Sequence, residues 1–166
     1  MTRPSTWGNY PIQAKRSNAE RWADRSKMPR KATILVADDD SNDLFLLMKS
    51  IEKSGLGHSV IAVINGQEAV DYLSGKPPYN DRIQTPLPDL FLLDLKMPRM
   101  NGFEVLLWLQ GEEALKQIPV VVLSGSILEK DKAEALGLGA REYCVKPATG
   151  DEYIQFVKEL HARWLA

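Results

Sequence analysis

Three consecutive carboxylates (Asp38-Asp39-Asp40), a separate Asp94, the Ser124 hydroxyl and the Lys146 ammonium each follow directly on a short apolar run of this 166-residue chain. Carboxylates gathered in one place cannot all stay ionised without a cation among them. Oxygen donors alone, with room for water, suit a hard ion such as Mg2+. Held by Asp39 and Asp94, that ion would leave positions for an incoming phosphoryl oxygen. Asp94 would then be the nucleophile and form an acyl phosphate, as carboxylates do elsewhere. The added group brings about −1.5 to −2 charges. Lys146 offers it a positive point charge and Ser124 a hydroxyl donor. Phosphoryl transfer asks mainly for positioning and charge neutralisation, and these groups supply both. Taken singly, each has a plainer use. Asp38-Asp39-Asp40 is a helix-capping turn, Asp94 a turn former ahead of Pro98 and Gly102, Ser124-Gly125-Ser126 a loop, and Lys146-Pro147 a surface turn. The chemistry depends on the chain bringing them together.

The elements that would do so are visible as alternating periods. Thr33-Ile34-Leu35-Val36-Ala37, Leu90-Phe91-Leu92-Leu93, Pro119-Val120-Val121-Val122-Leu123 and Glu142-Tyr143-Cys144-Val145 read as short strands, and residues 58–64 as another. Unbroken apolar runs between turn residues fit strands covered on both faces of a parallel sheet. Leu44, Leu47, Met48 and Ile51 fall on one helical face, behind a cap at Ser41 or Asn42 and ahead of Gly55 and Gly57. Asn65-Gly66 turns into a helix with Ala69, Val70 and Leu73 on one side. Residues 102–110 carry Val105, Leu106 and Leu109, and residues 129–136 form a helix closing at Gly137 and Gly139. Thr149 or Asp151 caps a last helix that reaches Trp164. Five strand–helix repeats predict an α/β fold of flavodoxin-like (βα)5 type, a three-layer sandwich with parallel strand order 2-1-3-4-5. In that order strands one, three, four and five are neighbours. Asp38, Asp39, Asp94, Ser124 and Lys146 therefore converge at their carboxyl ends. The Pro-rich connection over residues 74–88 falls at the opposite end, and so does Asp89.

Composition narrows the alternatives. The chain is 44% apolar and 26% charged, ordinary for one globular domain with a tail. Cys144 is the only cysteine, so there is no internal disulfide framework, and no Cys/His cluster has zinc spacing. It reads as a small core residue. No apolar run has the length of a membrane span and no signal-peptide core precedes the domain, which predicts a cytoplasmic protein with no membrane partner. The net charge of −1 conceals +6 over residues 1–32 and −7 over the remainder. Residues 1–31 are basic and lack sustained periodicity, with at most a short helix over residues 18–26. They read as an N-terminal extension: a solvated, disordered arm, or residues upstream of a natural start at Met28. A basic tail could also bind nucleic acid, an anionic membrane or its own acidic domain. Residues 32–166 form the folded domain.

Residues 33–164 resemble the receiver domain of two-component response regulators. The likeness is carried by Ile34-Leu35-Val36-Ala37-Asp38-Asp39-Asp40, Pro88-Asp89-Leu90-Phe91-Leu92-Leu93-Asp94-Leu95-Lys96-Met97-Pro98, Met100-Asn101-Gly102, Val121-Val122-Leu123-Ser124-Gly125 and Tyr143-Cys144-Val145-Lys146-Pro147. The resemblance implies Asp94 as phosphoacceptor. It implies Mg2+ bound directly by Asp39 and Asp94, through water by Asp38, and by the backbone carbonyl of Lys96. Ser124 would be the switch hydroxyl, Tyr143 the aromatic rotamer partner and Lys146 the contact to the phosphoryl group, with a cis peptide before Pro147. The donor would be a phosphohistidine on a sensor histidine kinase or a phosphotransfer protein. The Pro-rich connection and the ending Asp151-Glu152-Tyr153 with Trp164-Leu165 resemble the small stand-alone regulators associated with bacterial phytochromes. That likeness would make the kinase a phytochrome-type photoreceptor. Two residues depart from the usual pattern. Ala148 stands where many receivers carry a bulky Phe, and Lys96 lies two residues past Asp94, where its side chain could impede attacking water.

No effector follows the last helix, so the expected output is protein contact, with neither direct DNA binding nor a catalytic module. The last helix carries Tyr153, Ile154, Phe156, Val157, Leu160, Trp164 and Leu165, more apolar residues than one core-facing stripe uses. The surplus is a candidate homodimer patch, or else core packing. Two rivals compete. An Mg-dependent aspartyl-nucleophile phosphatase would need an acid/base Asp two residues after Asp94, where Lys96 stands, and a cap over the site. A phosphorylation-independent scaffold would have no need of the intact Asp38, Asp39, Asp94, Ser124 and Lys146. His58 and His161 have no neighbours in sequence that suggest catalysis.

Overall fold

A computed structural model describes residues 31–166. The reading of residues 1–30, including the helix over 18–26, lies outside the described residues. The apolar runs form five strands: β1 (Thr33–Ala37), β2 (Ser59–Val63), β3 (Leu90–Leu93), β4 (Val120–Ser124) and β5 (Glu142–Val145). Each is followed by a helix: α1 (Ser41–Ser54), α2 (Gly66–Ser74), α3 (Gly102–Gln110), α4 (Glu129–Gly137) and α5 (Gly150–Leu160). A 3-10 turn, Glu113–Leu115, follows α3, and a π-helical turn, His161–Leu165, continues α5. The strands pair in parallel in the order β2-β1-β3-β4-β5.

Because strand side chains alternate, each central strand feeds both layers. Leu35, Ala37, Phe91, Leu93 and Val122 face α2, α3 and α4, where they meet Ala69, Tyr72, Val105, Leu106 and Ala135. Ile34, Val36, Leu92, Val121 and Leu123 face α1 and α5, where they meet Leu47, Ile51, Tyr153, Phe156, Val157 and Leu160. Most of the apolar surplus of the last helix is thus core. Ile154, Trp164 and Leu165 are half-buried, and the Trp164 indole donates to Glu142 at 2.9 Å. On α1, Met48 is exposed, because α5 covers only the narrower line of Leu47 and Ile51. Cys144 is half-buried against the same layer, and burial, with Glu142 beside it, pushes its thiol up to about 12. It is an inert packing residue.

The caps explain where helices start. Asp40, with extended backbone, accepts from the amides of Asn42 and Asp43 and caps α1, where the sequence suggested Ser41 or Asn42. A carboxylate one residue earlier reaches the same free amides and suits the positive helix end. Asn65 caps α2, Thr149 caps α5, and Asn101 with Glu104 forms a capping box on α3. The connection between α2 and β3 lies at the amino end of the strands, away from the site. Tyr72 donates to the Pro86 carbonyl at 2.6 Å, and Arg82 donates to the carbonyls of Tyr72 and Leu73 at the end of α2. Asp89 is at that end too, its carboxylate accepting from the Thr33 amide at 2.9 Å. No helix among the described residues is long and apolar enough to cross a membrane.

Candidate functional site

Sheet register aligns the polar strand ends. Ala37 pairs with Leu93, so Asp38 and Asp94 are the next residues on adjacent strands. Ser124 pairs with Val145, so Lys146 follows one step beyond. Backbone hydrogen bonds carry the alignment past the strands: the Asp94 amide donates to Ala37 at 2.9 Å and the Lys146 amide to Ser124 at 2.9 Å. The three carboxylates meet there, with one oxygen each of Asp38, Asp39 and Asp94 lying within 4.8 Å of one another.

Lys146 binds this cluster from the β5 side. Its Nζ lies 2.7 Å from Asp38, 2.7 Å from Asp43 and 3.5 Å from Asp94. Burial works against the Lys146 charge, but the hydrogen bonds to Asp38 and Asp43 more than offset it, so its pKa rises and it stays protonated. Burial raises Asp38 and Asp94 above the usual carboxylate range, and Lys146 opposes the rise in both. One ammonium among several carboxylates leaves a negative surplus of oxygen donors. That surplus fits a hard divalent cation. The donors differ in availability. Both Asp38 oxygens are engaged, one by the Asp40 amide at 2.9 Å and the other by Lys146, whereas Asp39 is exposed.

The loop after β3 is held by close backbone approach. The Gly102 amide donates to Leu95 at 3.0 Å, and a Cβ at position 102 would stand 2.4 Å from the Asp94 carbonyl oxygen. The Gly66 amide donates to Met100 at 3.0 Å, where a Cβ would stand 2.2 Å from that carbonyl. Arg99 takes a positive φ of 65° between these anchors. Lys96, in this loop, is exposed.

Ser124 and Tyr143 meet at a third residue, Ser126. The fully buried Ser124 hydroxyl accepts from the Ser126 amide at 3.2 Å, and the Tyr143 hydroxyl donates to the Ser126 carbonyl at 2.8 Å. The Ser126 hydroxyl bonds Asp131 on α4. The Tyr143 ring is half-buried and packs on the core beneath α4, already turned toward the β4–α4 loop.

One expectation is corrected. The Lys146-Pro147 bond is trans, and the only cis peptide among the described residues joins Pro77 and Pro78. A trans X-Pro bond is the lower-energy isomer by about 0.5–1 kcal/mol, and here it already lets Lys146 reach Asp38, Asp43 and Asp94. Sequence reasoning missed Asp43, Gly66 and Ser126. The signal for Asp43 was its place in the first turn of α1, directly after the aspartate triplet.

The profile of the response regulator receiver domain matches residues 34–158. Response regulator Rcp1 of Synechocystis sp. is 31% identical over 143 residues, 86% of this chain and 94% of Rcp1. A structure of phosphorylated RcpA, a cyanobacterial phytochrome response regulator, superposes with TM-score 0.76 at 35% identity, over 82% of this chain and 96% of that one. The Mn2+-bound form of Rcp1 superposes with TM-score 0.72 at 30% identity, over 81% and 94%. With its strand order, its acidic cluster and a profile match across most of its length, the chain belongs to the response regulator receiver-domain family.

Proposed function

We propose that this protein accepts a phosphoryl group on Asp94 from a phosphohistidine of a sensor histidine kinase or phosphotransfer protein and passes the signal on by protein contact. The observation that carries this reading is the buried Asp94 carboxylate, flanked by Asp38 and Asp39 and reached by Lys146. An Asp94 oxygen forms an O–P bond as the donor's P–N bond breaks, and the electron pair leaves on the imidazole nitrogen, which takes up a proton. Lys146 neutralises charge on the transferred group, and its ties to Asp38 and Asp43 hold it in place beforehand. Asp39, Asp94 and the Lys96 carbonyl would hold Mg2+, with Asp38 acting through water because its oxygens are engaged. When bound, the ion supplies charge neutralisation at the phosphoryl oxygens. Mn2+ in the Rcp1 structure and phosphorylation of RcpA support this reading by analogy. The likeness to RcpA, a cyanobacterial phytochrome response regulator, favours a phytochrome-type photoreceptor as the kinase.

Conformational relay follows from the Ser126 junction. A phosphoryl oxygen on Asp94 recruits the Ser124 hydroxyl as donor. That draws on the loop which Tyr143 also grips, and so on the head of α4. Pro147 fixes the chain just past Lys146. The protein is a signalling phosphoacceptor rather than a phosphatase, since exposed Lys96 stands where that enzyme needs its second aspartate. Incubation with acetyl phosphate and Mg2+ should add the mass of one phosphoryl group to wild type and nothing to Asp94→Asn. An unmodified wild-type mass would sink the reading.

A further inference from the structure

One buried hydroxyl beside the site has no role in this scheme. Tyr153, in the first turn of α5, is fully buried, and its Oη is the one buried side-chain polar atom among the described residues that lacks a hydrogen-bond partner. Buried phenols ordinarily find a partner, so an orphan in a core is unusual. Its charged surroundings are Asp43, Lys146 and Asp38. Burial first, then the charge and the close approach of the Asp43 carboxylate, push the phenol up to about 12, so it is a neutral donor at ordinary pH. Beside it, the Asp43 carboxylate gives one oxygen, Oδ2, to Lys146 Nζ at 2.7 Å, and the phenol makes no hydrogen bond to either of its oxygens.

That arrangement suits the unphosphorylated protein only. The ammonium has three protons and is shared among Asp38, Asp43 and Asp94, with Asp94 the most distant at 3.5 Å. A group of about −2 charge on Asp94 outcompetes a singly charged carboxylate for it. Asp43, half-buried, would then lose its hydrogen-bonded cation, a cost for a charge that is only partly exposed to water.

We propose that Tyr153 is a positioning residue: its orphan hydroxyl receives Asp43 when Lys146 turns to phosphorylated Asp94. The inference rests on Asp94 being the phosphoacceptor. Before phosphorylation Asp43 is paired and Tyr153 is not; afterwards both are. An unsatisfied donor in the resting state thereby favours the phosphorylated one, and α5 gains a bond to α1 in the process.

The test is a double-mutant cycle on Tyr153→Phe and Asp43→Ala, using beryllofluoride with Mg2+ as the phosphoryl mimic and calorimetry as the readout. Tyr153→Phe removes an oxygen that bonds nothing at rest, so the unliganded variant should melt no lower than wild type and bind Mg2+ alone equally well. It should bind beryllofluoride about tenfold more weakly, the worth of one hydrogen bond to a charged group. In the Asp43→Ala background the same change should have no further effect. Wild-type beryllofluoride affinity in Tyr153→Phe would overturn the proposal, as would an equal loss in both backgrounds. Failure of wild type to bind the mimic would instead overturn the phosphoacceptor reading, and this inference with it.

Discussion

At the scale of single residues, Lys96 and Gly102 flank the mouth of the site and act in different ways. The exposed Lys96 side chain lies two residues past Asp94, where its ammonium can occupy the approach of water to an acyl phosphate. Lys96→Asn should shorten the phosphoryl half-life several-fold, followed by intact mass after removal of the donor; an unchanged half-life counts against the role. Gly102 acts through space alone. With only 2.4 Å between a Cβ and the Asp94 carbonyl oxygen, Gly102→Ala forces the backbone that carries Asp94 to shift. It should cost about 1–3 kcal/mol in urea unfolding, the usual penalty of overpacking. Asp38, Asp39, Asp94 and Lys146 could be picked out from sequence because each stands directly after an apolar run, and parallel register turns that place into proximity. Asp43 could not. An acid in the first turn of a helix already has a use in the helix dipole, so nothing in its position announces the bond to Lys146.

At the scale of elements, the strands and helices were legible from periodicity, while what joins their far ends was not. His58 precedes β2 and His161 opens the π-helical turn, 103 residues apart in the chain, yet their rings meet with Nε2 of one 3.1 Å from Nδ1 of the other. No sequence period links two lone histidines at that distance. The Ala32 amide donates to His58 Nδ1 at 3.2 Å, so that nitrogen carries no proton. The His58 proton is therefore on Nε2 and points to His161 Nδ1. Protonating His58 sets an N–H against the Ala32 N–H and a charge into a buried pocket. Burial chiefly lowers the His58 pKa below 6.5, His161 adds to the effect, and Asp89 opposes it. A depressed imidazole pKa means that the unfolded chain binds the extra proton first. Stability is therefore full above about pH 6.5 and falls as pH drops from there to the folded-state value, where the loss levels off. The urea midpoint of wild type should fall between about pH 7.5 and 5.5 by more than that of His58→Asn. Equal falls in the two proteins would dismiss the pair as a pH-sensitive clasp between the sheet and the C-terminal turn.

At the scale of the whole molecule, the site shares one end of the sheet with three exposed apolar residues. Ile127 and Leu128 lead into α4 and Val145 ends β5, all three exposed, and each is within a few residues of Ser124, Ser126 or Lys146. The interaction patch expected on α5 is largely spent on the core, so these residues are the better candidates for contact with a second copy. Ligand linkage and association then separate in a melting experiment. Beryllofluoride at 100 times its Kd stabilises by about 2.7 kcal/mol, or about 10 °C in Tm for a domain of this size, whatever the oligomeric state. A dimer formed only in the liganded state adds a term that grows with protein concentration, whereas the unliganded Tm stays constant. Wild type with the mimic should show that growth and a larger sedimentation coefficient. Ile127→Glu with Val145→Glu should keep the ligand shift and lose the concentration dependence, because the added charges oppose burial without touching Asp94 or Lys146. A liganded Tm independent of concentration, with a monomer's sedimentation in both states, would rule out self-association. The relay from Ser126 to α4 would then have to be read by a different protein.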